Sequence, residues 1–526
     1  MKAYLLYQDQ DFDFGAALPP NHEDLIQDLE LPTLLQAMAL GDKFLYDVSL
    51  RVLLASVDDP ATVLYRQRVL ADCIAEPEII REMYAIAASA LEDKRGIWGY
   101  SSRFPSSILL AAVEQLEAFV VRLKDLRKIA DEHGERFRSD GLTALFRTLQ
   151  SELSDEYFKT ISYHLKQLRF PDGVLISAQL DRDNSGIGFV LRSPGGGKPS
   201  WRKRLGIGPR SSYSFTIPPR DEAGAQALSD LTSRGINLVA NAAAQSADHI
   251  LSYFTQLRAE LGFYVGCLNL RDRLVEKGVP TSFPEATPWR PPRFSCTGLR
   301  DVCLALRTQN RVVGNDVDAD GKSLVIITGA NSGGKSTFLR SVGLAQLMMQ
   351  CGMFVTAQTY RASVCEGVFT HFIREEDATM TSGRLDEELS RMSAIADQIR
   401  PHCLMLFNES FAATNEREGS EIARQVVSAL LEAEIKVFFV THLFDFAESF
   451  HNRHAGSTLF LRAERQPDGQ RNYKLVVGEP LPTSFGEDLY RRLGGWFDDD
   501  RPAGLTRLEE ASAGDIHSGT PVKQAE

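Results

Sequence analysis

The chain is 526 residues long, with 43% hydrophobic and 24% charged side chains, values that exclude a wholly disordered, collagenous or membrane-embedded polypeptide and imply about three to four domain-sized units. Its 58 basic and 70 acidic residues give a formal charge of −12, so the molecule as a whole repels nucleic acid and anionic membranes, and any contact with DNA has to be local. Seven cysteines, an odd number with no CxxC pair and several in apolar runs, fit reduced, buried thiols rather than a disulfide framework or a zinc site.

The first 25 residues open MKAYLLYQDQDFDFG and turn acidic by Asp9, without the basic start and apolar core of a signal peptide. No uncharged apolar stretch approaches the ~20 residues of a membrane span. A cytoplasmic protein without membrane contact is expected. Residues 26–168 read as successive amphipathic helices, few in glycine and mixed in charge, as in SSILLAAVEQLEAFVVRLKDLRKIADEH, and predict an all-helical core. At Phe170 the pattern changes: PDGVLISAQLDRDNSGIGFVLRS holds short β-rich runs broken by Asp-Gly and Asn-Ser-Gly, which are turn signals. Residues 193–210 gather Lys198, Arg202, Lys203, Arg204 and Arg210 around Trp201. Such a cluster is either a phosphate-contacting loop with an aromatic able to stack, or a solvated flexible loop.

After Pro219 a long helix resumes, and Ile250, Phe254, Leu257, Leu261, Tyr264 and Leu268 fall on one continuous face, as a rigid rod would have them. PTSFPEATPWRPPRFS, 280–295, has five prolines and no periodicity and reads as a linker. The organisation expected is therefore an N-terminal segment to 25, a helical region 26–279 with a β and basic-loop insertion at about 170–220, the linker, an α/β domain over 296–500, and a disordered tail from 501 to 526.

In the α/β domain the β-branched run Leu324 to Ile327 leads into Gly329, Ala330, Asn331, Ser332, Gly333, Gly334, Lys335, Ser336 and Thr337, followed by an apolar helical pattern. That is a P-loop in its strand–loop–helix context. Glycines let backbone N–H groups close round phosphate oxygens, Lys335 reaches the β and γ phosphates, and the Ser336 hydroxyl ligates Mg2+. ATP and Mg2+ are the cofactors expected. A second apolar strand, CLMLFNES, ends in Asn408 and Glu409. Glu409 there can orient and deprotonate water, while Asn408, where an aspartate is usual, can hold the metal through water without adding charge. A third, KVFFVTHLFDF, ends in Thr441-His442, an imidazole suited to touching a γ-phosphate. Between them MTSGRLDEELSRM places Ser382 and Gly383 ahead of a helix with an acidic first turn. This is an ordinary capped helix or a loop reaching across a dimer.

The set TGANSGGKSTFLRSVGLAQLMMQCGMFVTA, LFNESFAATNEREGSEIA and VTHLFDFAE resembles the ATPase domain of the DNA mismatch repair MutS family, over roughly Asn315 to Gly486. Thr414, Asn415 and Gly419 stand where that family has a subunit-communicating turn, and Tyr65-Arg66-Gln67 upstream is similar to the start of its helical core. The resemblance implies an ABC-class ATPase joined by lever helices to a DNA-embracing core, dimerising head to tail with composite ATP sites. The chain departs from the family pattern in three respects. No Phe-x-Glu wedge or mismatch-reading domain precedes the core, Leu385-Asp386-Glu387 replaces the Ser-Thr-Phe of the trans signature, and Asn408 replaces the metal-binding aspartate. No nuclease-like extension is recognisable after residue 500 either.

The function expected is a homodimeric Mg2+-dependent ATPase that clamps mismatched, branched or otherwise distorted DNA in repair or recombination, with Lys335, Glu409 and His442 in the ATPase site. An ATP-binding switch with weak hydrolysis that acts on a protein partner is the alternative. A transporter ATPase is disfavoured because no Leu-Ser-Gly-Gly-Gln signature is present.

Overall fold

The computed structural model describes residues 2–55, 57–93, 104–183, 185–192, 214–374, 383–454, 456–466 and 470–480. They form two compact units, one from the described residues of 1–288, 305–309 and 345–356, the other from those of 289–304, 310–344 and 357–526. The basic cluster from Lys198 to Arg210, Ser382 and the segment 501–526 lie outside the described residues.

The first unit is helical. Its helices start where short acids can cap them: Asp42 accepts from the Phe44 and Leu45 N–H groups ahead of Lys43–Leu54, and Asp59 from Ala61 and Thr62 ahead of Pro60–Ala75. Proline at the first position of the latter loses no hydrogen bond, since that N–H has no partner in a helix anyway. The axis of the unit is the helix Glu222–Glu276, capped by Asp221 and 55 residues long, or roughly 80 Å at 1.5 Å per residue. Its buried positions crowd into the half from Tyr253 to Leu274, where Pro105–His133, Pro77–Asp93, Leu31–Ala39 and Lys43–Leu54 pack on it. Towards its start Leu228, Leu231 and Leu238 are exposed, and an antiparallel hairpin, β1 (Ile176–Leu180) with β2 (Gly186–Leu191), lies against it. Gly235 permits that approach: a Cβ there would sit 2.3 Å from Cδ1 of Ile176.

The N-terminal segment is bound into this unit by buried charge. Glu260 accepts from the Leu5 and Leu6 N–H groups at 2.6 and 3.3 Å, Tyr264 donates to the Leu5 carbonyl, and Arg66 donates to that of Leu6 at 2.7 Å. The Arg66 guanidinium also lies over the Tyr7 ring, 4.6 Å from its centroid.

The second unit carries two sheets. In the stretch 280–295 short strands β3 (Glu285–Thr287), in the first unit, and β4 (Phe294–Leu299), in the second, flank Pro288, Pro291 and Pro292, so the prolines fall where no ladder N–H is needed. β4 lies between β5 (Asn315–Asp318) and β7 (Thr359–Ser363), antiparallel to both. The larger sheet has the order β12 (Arg471–Val477), β11 (Thr458–Arg465), β6 (Leu324–Gly329), β10 (Lys436–Val440), β9 (Leu404–Asn408), β8 (Val368–Phe372). All neighbours are parallel except β11 and β12. β6, β9 and β10 are built on the apolar runs Leu324 to Ile327, Leu404 to Phe407 and Val437 to Val440 because both their faces are covered. Phe407 stacks on Phe439, which meets Phe446, each pair at 4.8 Å between centroids. Crossover strands in register bring the carboxyl ends of β6, β9 and β10 side by side, the usual place for a ligand in an open parallel sheet.

All seven cysteines are buried, and none is in a disulfide. Burial pushes the Cys296 and Cys351 thiols up to about 12. No described helix is long and apolar enough to cross a membrane, and among the described residues no group of three or more His, Cys, Asp or Glu is placed to hold a metal.

Candidate active site

The turn from β6 into the helix Lys335–Gln350 is built on glycine. Gly329 and Gly334 have φ of +100° and +90°, conformations that an L side chain strains to adopt. Space is short as well: a Cβ on Gly333 would lie 2.6 Å from that of Ala463 on β11, and one on Gly329 would lie 3.0 Å from the Ala463 nitrogen. Ser332 is left-handed too, with φ +55°, and Asn331 and Ser332 face solvent at the crest. Phe338 donates to the Gly334 carbonyl as the helix begins. Thr337 follows on the first turn, half-buried.

Lys335 is buried, and its Nζ donates to the carbonyls of Gly329 and Ala330 at 2.9 and 3.1 Å. Burial pushes its ammonium down to about 8; Glu409 acts to raise it and Arg471 to lower it further. Ser336, on the exposed side, donates to Oδ1 of Asn408 at 2.8 Å, so an oxygen from the helix after β6 and one from the end of β9 share one spot. Glu409, next in the chain, is left-handed with φ +56°, and its N–H donates to the Val440 carbonyl at the end of β10. That turn aims its carboxylate at His442, whose Nε2 lies 3.2 Å from Oε1. The His442 hydrogen bond holds Glu409 below the usual carboxylate range against the opposing effect of burial, with the His442 and Lys335 charges adding to it.

The structure thus brings Lys335, Ser336, Asn408, Glu409 and His442 to one sheet edge. Gly383 and the pair Thr414 and Asn415 have other local duties. Gly383 stands at the start of the helix Arg384–Ala396. Asn415 caps Glu416–Glu432 by accepting from the Glu418 N–H at 3.0 Å, while Thr414 donates to the Glu418 carboxylate at 2.7 Å.

At the margin of the site Asn315 and Tyr473 belong to stretches that carry the family resemblance, while Arg471 was singled out by no motif. Arg471, on β12, donates to the Asn331 carbonyl at 3.3 Å. Tyr473, left-handed with φ +59°, lays its backbone over Gly334, and the Asn315 amide is bonded to the Tyr473 carbonyl and the Leu475 N–H. Only three-dimensional pairing of β11 and β12 beside β6 puts them there, and no spacing in the chain announces it.

Two family models match: the MutS2 N-terminal domain over residues 58–277 and MutS domain V over residues 325–489. A Bacillus subtilis MutS2 is 25% identical over 401 residues, covering 72% of this chain and 48% of that protein. The Endonuclease MutS2 of Lacticaseibacillus casei is 30% identical over 201 residues, 37% of this chain and 25% of its own. A DNA mismatch repair protein MutS of Chloroflexus aurantiacus is 30% identical over 184 residues, 32% and 19% respectively. The chain therefore spans about half the length of these relatives or less.

Proposed function

The chain belongs to the MutS family, and on that premise we propose that it is a Mg2+-dependent P-loop ATPase of ABC type whose nucleotide state controls its grip on DNA. The observation that carries this is the convergence of Lys335, the Ser336–Asn408 pair and the Glu409–His442 pair at the carboxyl ends of three adjacent parallel strands. The helical region to about residue 279 is then the DNA-embracing core, and the α/β region from about residue 296 the motor.

The groups present suit both cofactors. The glycine turn, closed off by Ala463 where a Cβ would otherwise stand, is a cradle for a polyphosphate, and the two side-chain oxygens of Ser336 and Asn408 are donors for a hard divalent cation. Bound there, Mg2+ would neutralise phosphate charge. Lys335 would exchange its two loop carbonyls for phosphate oxygens, whose charge keeps its ammonium protonated. Glu409, ionised at neutral pH, accepts a proton from the attacking water as the new P–O bond forms and the bond to the ADP oxygen breaks. His442 holds the carboxylate in place and would contact the γ-phosphate of bound ATP. Gly383, Ser382 and Thr414–Asn415 are assigned to a partner copy's site in a homodimer. Lys198, Arg202, Lys203, Arg204 and Arg210 are the candidates for DNA phosphates.

Steady-state ATP hydrolysis with and without duplex, mismatched and four-way-junction DNA tests this function. Stimulation by one of them is expected. Lys335→Ala should abolish nucleotide binding, and Glu409→Ala should bind ATP while hydrolysing it about 10²–10⁴-fold more slowly. Normal turnover in the Glu409→Ala protein would remove the base from this scheme.

A second reading, a switch with slow hydrolysis acting on a protein partner, is favoured by one observation: Asn408 brings no charge to the spot it shares with Ser336. Asn408→Asp discriminates. If the neutral side chain limits the enzyme, the Mg2+ concentration for half-maximal hydrolysis falls several-fold. If it does not change and no DNA stimulates, the protein-partner reading stands.

A further inference from the structure

The base of the proposed ATPase sits in a turn that its own backbone does not favour. Glu409 and Phe411 are both left-handed, with φ +56° and +64°, a strained conformation for a residue with a side chain. The turn is held from outside by residues of two other segments. Ser410 donates to the His371 carbonyl at 2.6 Å, and the His371 ring, 2.7 Å from the same hydroxyl through Nδ1, stacks on Phe411 at 5.5 Å. His371 Nε2 lies 3.0 Å from the Glu388 carbonyl. The Phe411 N–H donates to Oε2 of Glu388 at 2.8 Å. Glu388, Ser410, Phe411 and His371 are all buried, Glu388 to 2% exposure.

Glu388 is the costly member of this set. It is a carboxyl inside the protein whose Oε1 has no hydrogen-bond partner among the described residues, and a half-satisfied buried acid is a group that packing alone would replace with a hydrophobe. What it holds is the backbone two residues beyond the base. We infer that Glu388 is a positioning residue for ATP hydrolysis, clamping the Glu409–Phe411 turn and so fixing the Glu409 carboxylate relative to the attacking water. Glu388 has this role on the premise, proposed above, that Glu409 is the base. It lies on the helix Arg384–Ala396, which opens at Gly383, and its hydrogen bond to the Phe411 N–H ties that helix to the turn that carries the base.

The test compares two variants of the full chain. Glu388→Gln keeps an acceptor for the Phe411 N–H; Glu388→Met keeps the volume and removes it. Glu388→Met should lower kcat about 10- to 100-fold, the scale on which misplacing a reacting group by an ångström acts, while KM for ATP stays within about twofold. Glu388→Gln should recover kcat to within about threefold of the parent. In a Glu409→Ala background, Glu388→Met should cost nothing further, because it acts only through the base. Parental kcat in Glu388→Met, equal losses in both variants, or additive loss in the double variant would overturn the inference. So would loss of ATP binding by Glu388→Met, which would make Glu388 a prop of the fold at large. If the parent chain itself binds ATP but does not hydrolyse it, the proposed function fails first and this role falls with it. If the parent turns over and Glu388→Met matches it, this role alone fails.

Discussion

Lys436 opens β10 and is buried, with its Nζ bonded to the Ala319 carbonyl at 3.1 Å and lying 5.7 Å from the centre of the Phe294 ring. Burial pushes its ammonium down to about 7, against the pull of Asp320 and Asp318. Below that value both folded and unfolded chains hold the proton, and the fold bears a buried charge. Between about 7 and the ordinary lysine value only the unfolded chain holds it, so stability rises with pH across that window. Lys436→Met should therefore stabilise the protein at pH 6.5, by about 1–3 kcal/mol, and flatten the rise of Tm above pH 7; thermal melts at several pH values check both. Nothing in the chain marks this residue, since a lysine before an apolar run such as VFFV reads as a solvated strand end. Buried polar groups were the least legible part of the molecule for that reason. Ser336 and Asn408 each belong to a recognisable motif, but Glu388, His371 and Ser410 acquire meaning only when three distant segments meet.

The helix Glu416–Glu432 shows how one element serves stability and site together. Asn415 caps it, and Gly419 in its first turn is buried, where a Cβ would stand 2.3 Å from the Phe411 carbonyl oxygen. The glycine is a matter of space, as its own backbone is helical. Gly419→Ala should push that carbonyl, and with it the Glu409 turn, costing about 1–3 kcal/mol of stability and slowing ATP hydrolysis. Asn415→Ala should cost about 1 kcal/mol through the lost cap, with no push on that carbonyl. Parental turnover in Gly419→Ala would sink the spatial account. Elements of this kind were readable where periodicity runs long or a motif is contiguous: the helix Glu222–Glu276, the hairpin around the Asn-Ser-Gly turn, and the strand, turn and helix from Leu324 to Gln350. Strand order was not readable, because β11 and β12 join the sheet beside β6 after more than a hundred intervening residues, and the chain pattern of a strand does not say which neighbour it will take.

For the whole molecule, a formal charge of −12 means that DNA binding under the proposed function depends on a few local cations against a repulsive background. Neutralising Arg202, Lys203 and Arg204 together should weaken binding and reduce the slope of log affinity against log salt by about 2–3, close to one counterion per lost phosphate contact. Titrations at several salt concentrations measure that slope, and an unchanged slope would remove these residues from the interface. A last consequence comes from the cysteines. All seven are buried, and at least Cys296 and Cys351 are held far from the thiolate form. The native protein should therefore react with less than about one equivalent of a maleimide under brief labelling, and with seven once denatured. The unaltered chain is in that case already a blank background for site-specific fluorophores. A single cysteine placed at the exposed Leu238 of the long helix would take up one dye, and could report how that helix responds to nucleotide without any native cysteine being removed first.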